Sequence, residues 1–419
     1  MKNVLCFCFA ILLAAHISAQ STWHYLPNAP SGFSRIDDVF FLNSQLGWSA
    51  GANGRIFKTT DGGLTWANVY STNAYFRCIE FFDEKIGYAG TLDAKFLRST
   101  DGGNTWVNLA PAISPIPKAV CGISIVDSLY AYAVGEWDTP GFFLKTTDGG
   151  ITWTSHNMAV HAKALVDVFF MSRDTGFVTG QSPQNKAVIL YTTDGGQSWK
   201  KMFESTPQGH YVWKIQRVTP DFWVGSIQTF GGGKYAKSYD GGQTWTEHTA
   251  PIDDMQGIGF ATPQQGWVGG YVSGFYETLD GGDSWEFQNF GGDFNRFYFL
   301  DSTLAFASGY SVYKFSDTTL SSVAQPFRPM PKDDGFEIAL SPNPTGGLLE
   351  IKFHLPVRDN VRMSILSSDG AMLREVYHER QLPAGDYAFR ADCSALPAGA
   401  YLLGVQRNHG LYARGFLRL

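Results

Sequence analysis

The sequence predicts an all-β protein in which a seven-bladed β-propeller, closed by its own N-terminal strand, is followed by a small C-terminal β-sandwich. Three observations predict this fold class. A turn motif recurs six times at intervals of 40 to 47 residues, four short strand signals fit into each interval, and after residue 319 both the motif and tryptophan are missing. A repeat of this length with four strands is typical of a propeller blade.

The recurring motif is Ser/Thr-x-Asp-Gly-Gly-x-Thr/Ser-Trp, and its chemistry is that of a tight turn. The aspartate can accept hydrogen bonds from amides of its own turn, the two glycines allow positive φ, and the final pair begins the next strand with an indole that packs between blades. We therefore expect a structural role for these residues. They are Asp61, Asp101, Asp148, Asp194, Asp240 and Asp280, with Trp66, Trp106, Trp153, Trp199, Trp245 and Trp285.

The second strand of each repeat counts the blades, because it carries an aromatic residue at a fixed place. Seven such residues occur although the motif occurs six times: Trp48, Tyr88, Tyr132, Phe177, Trp223, Trp267 and Phe306. The seventh repeat stops after Asp317 without an outer strand, whereas residues 21–26 resemble the strand that follows each motif. We expect residues 21–26 to complete the seventh blade, which closes the ring and leaves no open sheet edge.

The chain divides into four segments. Residues 1–19 have one lysine, an apolar run and small residues before Gln20, which is the pattern of a secretory signal peptide. The propeller takes residues 20–319, and the proline-rich residues 320–335 form a linker. Residues 336–419 alternate strand signals with turn residues, as a small sandwich does. No membrane-spanning segment is predicted in the mature chain.

Charge and composition exclude several function classes. With 32 basic and 38 acidic residues the formal net charge is −6, which argues against nucleic acid or an anionic membrane surface as the partner. The histidines are scattered and three cysteines follow the signal peptide, so neither a metal site nor a cofactor is predicted. Cys78 and Cys121 start the first strands of adjacent blades, which leaves open a disulfide or, as we favour, two buried free thiols.

Two resemblances to known families rest on these motifs. The repeated turn resembles the Asp box, or bacterial neuraminidase repeat, and six boxes on successive short blades resemble the photosystem II assembly factor-like propellers. Residues 336–419 resemble the type A sorting domain of type IX secretion. The segments that carry this second resemblance are residues 340–344 (Leu-Ser-Pro-Asn-Pro), 365–370, 396–401 and 415–419.

The sorting-domain resemblance has implications for where the protein goes. It implies a Gram-negative bacterium, export through the periplasm, and passage across the outer membrane by the type IX machinery, which would act through residues 336–419. It also implies removal of that domain, followed by release or attachment to the cell surface.

Glycoside hydrolysis is the enzymatic alternative. Sialidases share the Asp box and would require three arginines around a carboxylate; Arg35, Arg77 and Arg296 start first strands of neighbouring blades, but at differing offsets and without an identifiable Tyr–Glu pair. A polysaccharide hydrolase would use two carboxylates across a cleft. Acids in suitable positions are Asp37, Asp38, Glu136, Asp138, Asp167, Asp253 and Asp254. Alternatively, these acids are solvated or bind backbone amides.

A binding function is favoured over hydrolysis. The loops from fourth to first strands and from second to third strands share one face, which varies between blades while the Asp-box face repeats, and a specific site needs non-repeating chemistry. The candidate partner-binding residues are Arg35, Arg77, Trp137, Trp213 and Arg296. The arginines suit a carboxylate of a protein or an acidic glycan, unless they only neutralise Asp37, Asp38 or Glu80. Replacing Trp137 and Arg77 is expected to weaken binding with little loss of stability.

Overall fold

The structure, a computed structural model, describes residues 21–316 and 336–419, apart from residues 27, 32–34, 137–139, 207–209, 230, 368–371 and 408–409. The predicted signal peptide and linker therefore lie outside the described residues. Within the described part of the chain, no helix has the length and apolar character needed to span a membrane.

The first part of the chain is built from short strands and a 3₁₀ turn at Ala110–Ala112. The strands are β1 (Thr22–Tyr25), β2 (Ile36–Phe41), β3 (Gly47–Gly51), β4 (Arg55–Thr59), β5 (Ala67–Ser71), β6 (Phe76–Phe81), β7 (Gly87–Thr91), β8 (Phe96–Ser99), β9 (Val107–Asn108), β10 (Gly122–Ile125), β11 (Ala131–Gly135), β12 (Phe142–Thr146), β13 (Thr154–Asn157), β14 (Ala164–Phe170), β15 (Gly176–Gln181), β16 (Ala187–Thr192), β17 (Lys200–Glu204), β18 (Tyr211–Arg217), β19 (Trp223–Gln228), β20 (Lys234–Ser238), β21 (Thr246–Thr249), β22 (Met255–Phe260), β23 (Gly266–Gly270), β24 (Ser273–Thr278), β25 (Glu286–Gly292), β26 (Arg296–Phe299), β27 (Ala305–Ser308) and β28 (Val312–Ser316).

Among the described residues these strands form seven four-stranded antiparallel sheets. Sheets 1 to 6 each take four consecutive strands, namely β2–β5, β6–β9, β10–β13, β14–β17, β18–β21 and β22–β25. Sheet 7 has the order β1-β28-β27-β26, with Thr22 opposite Ser316 and Tyr25 opposite Tyr313. The strand from the N-terminal end thus pairs with the last repeat, in the place where the sequence predicts it.

In sheets 1 to 6 the first two strands are mostly buried, and the fourth is largely exposed or half-buried. In sheet 1, for example, nearly all of β2 is buried whereas β5 is exposed or half-buried. Each first strand contacts the first strand of the next sheet, and β26 contacts β2. The first strands therefore lie side by side around a common centre.

Aromatic stacking joins neighbouring sheets. The ring of Phe81 in β6 stacks on Trp48 of the preceding sheet with centroids 3.7 Å apart, and Phe41 in β2 stacks on Phe306 of sheet 7 at 3.4 Å. The glycine that begins the second strand makes room for this ring, since a Cβ on Gly47 would lie 2.6 Å from the Phe41 ring. This close approach explains the repeated Gly-aromatic pair.

The second part of the chain contains two further sheets. Its strands are β29 (Glu337–Ser341), β30 (Leu348–Leu355), β31 (Asp359–Ser367), β32 (Met372–Leu382), β33 (Gly385–Asp392), β34 (Gly399–Arg407) and β35 (Gly410–Arg418). Sheet 8 has the order β29-β30-β33 and sheet 9 the order β32-β31-β34-β35. Both contribute to one hydrophobic cluster, which includes Ile351 and Phe353 from sheet 8 and Met363 and Val405 from sheet 9.

Candidate functional site

The Asp boxes form hydrogen-bonded turns. In the first box, Asp61 Oδ1 accepts from the Thr59 hydroxyl at 2.8 Å and from the Thr65 amide at 2.9 Å, while Oδ2 accepts from the Thr65 hydroxyl at 2.5 Å. In the second box the corresponding hydrogen bonds lower the pKa of Asp101 to about 2, and the bond from the Thr105 hydroxyl contributes most. Both oxygens of these carboxylates are thus engaged in the turn.

Several box turns also connect neighbouring sheets. Gly102 in the second box accepts hydrogen bonds through its carbonyl from Trp48 Nε1 at 3.0 Å and Lys58 Nζ at 3.1 Å, both in sheet 1. Lys314 of sheet 7 donates in the same way to the Gly62 carbonyl of sheet 1 at 3.3 Å. These contacts give the box face a structural role, whereas the opposite ends of the sheets differ from one another.

The first strands carry β-bulges near their starts. In five of the described sheets the pairing with the second strand skips one residue. The skipped residues are Asp37, Arg77, Val166, Trp213 and Gln256. A bulge turns an extra side chain out of the ladder and often marks a functional position. Here the bulges bring unlike side chains from several sheets toward a common centre.

Five polar residues meet there, and we call them the arginine cluster: Arg35, Asp37, Arg77, Gln256 and Asn295. Asp37 Oδ1 accepts from Arg35 Nη2 at 2.5 Å, from Arg77 Nη1 in a very short contact, and from Asn295 Nδ2 at 3.1 Å. Gln256 Oε1 accepts from Arg35 and Asn295 at 2.8 and 2.9 Å. All five residues are buried, so the cluster holds two guanidinium groups against one carboxylate in a low-dielectric setting.

Aromatic rings flank the two guanidinium groups. Arg77 lies 4.7 Å from the ring centroid of Trp213, which is buried, and Arg35 lies 4.4 Å from that of Tyr271, which is 50% exposed. Burial, reinforced by the Asp37 carboxylate, raises the pKa of Tyr75 to about 12. Burial also raises the pKa of Asp293 to about 6, against the opposing effect of Arg35.

The cluster keeps unused hydrogen-bond donors. Arg35 Nε and Arg77 Nε, together with Nε1 of the adjacent Trp213, are buried and have no hydrogen-bond acceptor among the described residues. Two buried acceptors of the cluster, Asp37 Oδ2 and Asn295 Oδ1, likewise have no donor there. A buried polar group without a partner costs about 1–3 kcal/mol, so such groups need a reason. On its other side, Trp213 packs in an apolar cluster with Ala119, Cys121 and Val166. The centre is therefore cationic on one side and apolar on the other.

A second charged layer lies one residue further along the first strands. Arg296 forms ion pairs with Asp38, in a very short contact, and with Asp167 at 3.3 Å, and Lys214 lies 3.9 Å from Asp167. Burial lowers the pKa of Lys214 to about 8 and raises that of Asp38. This layer contains two carboxylates and two cations and has no excess of either charge.

The acids of this layer also connect consecutive sheets. The remaining oxygen of Asp38 accepts from the Ile79 amide of sheet 2 at 2.9 Å, and that of Asp167 accepts from the Ile215 amide of sheet 5 at 3.0 Å. Glu80 accepts from the Ile125 amide of sheet 3 at 2.9 Å in the same manner. Side-chain oxygens thus satisfy the amides at the inner edge of the next sheet.

The structure brings together only some of the residues that the sequence singles out. Arg35 and Arg77 belong to the arginine cluster and Trp213 packs against Arg77. Arg296 belongs to the second layer, and Trp137 and Asp138 lie outside the described residues. The expectation of little stability loss is wrong for Arg77, which is 2% exposed and bound to Asp37. Removing it would leave a buried carboxylate with one cation fewer.

The other acids proposed from the sequence are dispersed. Glu136 accepts from the Lys118 amide at 2.7 Å, Asp253 from the Gly232 amide at 2.7 Å, and Asp254 contacts Gln228 at 3.3 Å. Cys78 and Cys121 are buried free thiols, so the disulfide alternative is not realised. Among the described residues, no group of His, Cys, Asp and Glu side chains is arranged to hold a metal ion.

Family models match two stretches of the chain. Residues 110–248 match the model described as photosynthesis system II assembly factor YCF48. Residues 339–416 match the model described as a secretion system C-terminal sorting domain. No curated protein matches the chain in sequence.

Solved structures show the fold that the chain resembles. A structure of YCF48 bound to D1 peptide is 21% identical, with a TM-score of 0.52, over 70% of this chain and 96% of that one. The GH74 xyloglucanase of Xanthomonas campestris is 14% identical, with a TM-score of 0.56, over 94% of this chain and 75% of that one. PorZ, a surface component of the type IX secretion system of Porphyromonas gingivalis, is 12% identical, with a TM-score of 0.51, over 94% of this chain and 61% of that one.

Proposed function

We propose that this chain, which carries a YCF48-like propeller segment and a type IX sorting domain and is therefore exported to the cell surface or the medium, works there as a binding protein. The partner docks on the loop face around the arginine cluster, and the protein has no catalytic activity of its own. The observation that carries the proposal is the pair of buried guanidinium groups that share one carboxylate and keep unused donors.

The architecture that we propose for this function is a closed ring. Sheets 1 to 7 are its seven blades, residues 20–319 its extent, and β1 the strand that closes it; the contact of β26 with β2 supports this arrangement. Residues 1–19 are a cleaved signal peptide, residues 320–335 a linker, and residues 336–419 a sandwich. In such a ring the loops around the centre of one face form a shared, non-repeating surface.

The unused arginine donors favour an anionic group on the partner. Arg35 and Arg77 each keep a buried Nε–H group without an acceptor among the described residues, and guanidinium groups bind carboxylates through paired hydrogen bonds. The apolar side chains beside Trp213 suit an apolar neighbour of that group. The structure of YCF48 with a bound peptide supports a protein partner rather than a glycan, because it is a peptide complex on a similar fold.

The exposed ring over Arg35 gives a direct test. Tyr271→Ala removes a 50% exposed side chain from the loop face, whereas Tyr239→Ala removes a 63% exposed tyrosine beside the fifth Asp box. We expect Tyr271→Ala to reduce capture of the partner from a native outer-membrane extract by about tenfold or more, as interface aromatics do. Tyr239→Ala should capture as the wild type does, and both variants should keep their stability within about 1 kcal/mol.

The capture experiment separates the possible outcomes. Full capture by Tyr271→Ala, or reduced capture by Tyr239→Ala, would show that the partner does not bind beside the arginine cluster. Treatment of the extract with protease should abolish capture, whereas sensitivity to glycosidases alone would identify a glycan as the partner.

The second candidate is a secreted glycoside hydrolase, since the xyloglucanase shares the fold. A hydrolase needs a free carboxylate beside a protonated acid. Asp37, Asp38 and Asp167 instead contact cations, and the latter two also accept backbone amides. Release of reducing ends from xyloglucan or sialylated glycans by the wild type, lost on Asp167→Asn but retained by Tyr239→Ala, would overturn the binding proposal.

A further inference from the structure

The last strand of the sorting domain lies at an edge of its sheet. β35 pairs with β34 through an unbroken ladder from Gly399↔Arg418 to Arg407↔Gly410, and the sheet order places no described strand on its other side. Unpaired edges of regular strands are templates for pairing with another chain, and proteins usually cover them.

A short segment covers the final part of this edge. Asn343 donates through Nδ2 to the Gly415 carbonyl at 3.1 Å and accepts through Oδ1 from the Leu417 amide at 2.9 Å. Thr345 continues the contact, because its amide donates to the Leu417 carbonyl at 2.8 Å and its carbonyl accepts from the Leu419 amide at 3.0 Å. The Asn343 side chain therefore takes the place of a neighbouring strand.

The covering segment is itself anchored. Thr345 is fully buried, and its hydroxyl donates to the Leu348 carbonyl at 2.8 Å and accepts from the Gly347 amide at 3.2 Å. Leu348 begins β30, so these bonds fasten the segment to sheet 8. The two sheets are thus joined at the end of the last strand.

The register of β35 decides which of its side chains enter the core. Phe416 is 2% exposed and belongs to the shared hydrophobic cluster, while the adjacent Leu417 is 49% exposed. A slip of one residue would exchange the two faces of the strand. The Asn343 contacts to Gly415 and Leu417 lie on both sides of Phe416 and hold the register in which it is buried.

We propose that Asn343 is a positioning residue of the sorting domain. Its amide holds the last strand in the register that buries Phe416, and together with Thr345 it closes the end of the strand to pairing with other chains. The domain is thereby presented to the secretion machinery with this strand fixed. The proposal gives a role to the Leu-Ser-Pro-Asn-Pro motif and does not depend on what the propeller binds.

Hydrogen exchange on the full chain, read peptide by peptide by mass spectrometry, tests the contact. Asn343→Asp keeps the acceptor for Leu417 and loses the donor to Gly415, whereas Asn343→Leu loses both. Each lost hydrogen bond should raise the local opening constant about fivefold, so exchange in residues 412–419 should increase in the order wild type, Asp, Leu. Exchange in β33 of sheet 8 should not change, and the control Arg390→Ala, at an exposed position, should match the wild type.

Export is measured in the same variants as the amount of protein in the medium and on the outer membrane. We expect a severalfold fall for Asn343→Leu, a smaller one for Asn343→Asp and none for Arg390→Ala. Unchanged exchange in residues 412–419 would show that Asn343 does not hold the strand. An equal rise across β33 would make it a general stability residue, and a local rise with normal export would remove its role in sorting.

Discussion

The side chains of Asp37, Arg77, Trp213 and Gln256 occupy equivalent places in four sheets, yet no two of them share a chemistry. Each is the extra residue of a β-bulge, so it is not committed to the ladder and can point to the centre. The regular repeat builds the frame, and single residues at one irregular position give the centre its mixture of charged, polar and aromatic groups.

Arg35, Arg77 and Trp213 could be singled out from the sequence because charged and aromatic residues stand out at strand starts. Gln256, Asn295 and Tyr271 could not, since neutral polar residues and loop tyrosines carry no comparable signal. The pairing of Arg35 with Gln256 joins residues 221 positions apart, which spacing within one repeat does not reveal. Fixed spacing within each repeat, by contrast, was enough to predict the sheets.

Glu80 gives a pH-dependent prediction at the residue scale. Burial raises its pKa from 4.5 to about 8, so the folded protein binds a proton here that the unfolded chain has released, and this contribution to stability declines as the pH rises from about 5 to 8. Glu80→Gln keeps an acceptor for the Ile125 amide without the charge. The unfolding free energy of Glu80→Gln minus that of the wild type should therefore increase by on the order of 1–3 kcal/mol between pH 5 and pH 8.

Denaturant melts of both proteins at several pH values provide the measurement. Asp194→Asn, in an Asp box, serves as the comparison. Hydrogen bonds from Ser198 lower the pKa of Asp194 to about 2, so this carboxylate makes the unfolding free energy depend on pH only below about pH 4. A constant difference between wild type and Glu80→Gln from pH 5 to 8 would show that Glu80 is charged throughout.

At the scale of elements, β1 is held in sheet 7 by aromatic packing as well as by strand pairing. Trp23 packs with its ring centroid 5.6 Å from that of Trp267, 5.5 Å from Phe297 and 5.3 Å from Phe315. The sequence predicted its place because the last repeat lacked an outer strand. The edge contact of Asn343 was not predictable in this way, since it depends on the register of a strand 72 positions away.

Removing the indole of Trp23 should destabilise the first part of the chain. Trp23→Ala leaves four aromatic neighbours without their partner, and we expect a cost of about 2–4 kcal/mol, below the full core value because the side chain is half-buried. Thr22→Ala, one residue earlier and exposed, should cost less than about 0.5 kcal/mol. Thermal unfolding followed by tryptophan fluorescence and circular dichroism compares them, and equal melting temperatures would mean that β1 contributes little.

At the scale of the whole molecule, the chain joins a part built from sheets 1 to 7 to a C-terminal sorting domain. The sorting domain marks the protein for secretion or surface display, and its own hydrophobic cluster is built from sheets 8 and 9. The boundary between the two parts could be predicted from the sequence, because the tryptophan-containing repeat ends there and a proline-rich stretch follows. The partner is not readable at this scale, because folds alone do not define function.

Processing is the prediction that belongs to the whole chain. Residues 320–335 offer proline-rich backbone between two compact parts, so the mature exported form should end within or near them. Intact-mass measurement of protein from the medium and the outer membrane should find residues 336–419 missing. Extracellular molecules that all retain Leu419 would contradict removal of the sorting domain.

The pairing of β1 with β28 has a consequence for the order in which the molecule can be made. Ser316 follows its partner Thr22 by 294 positions, so the first strand to be synthesised can pair only after the last strand of its part has been made. Until β28 has been made, β1 has no strand to pair with and sheet 7 is incomplete. The pairing that joins the two ends of this part can therefore form only after both ends are present in the same compartment.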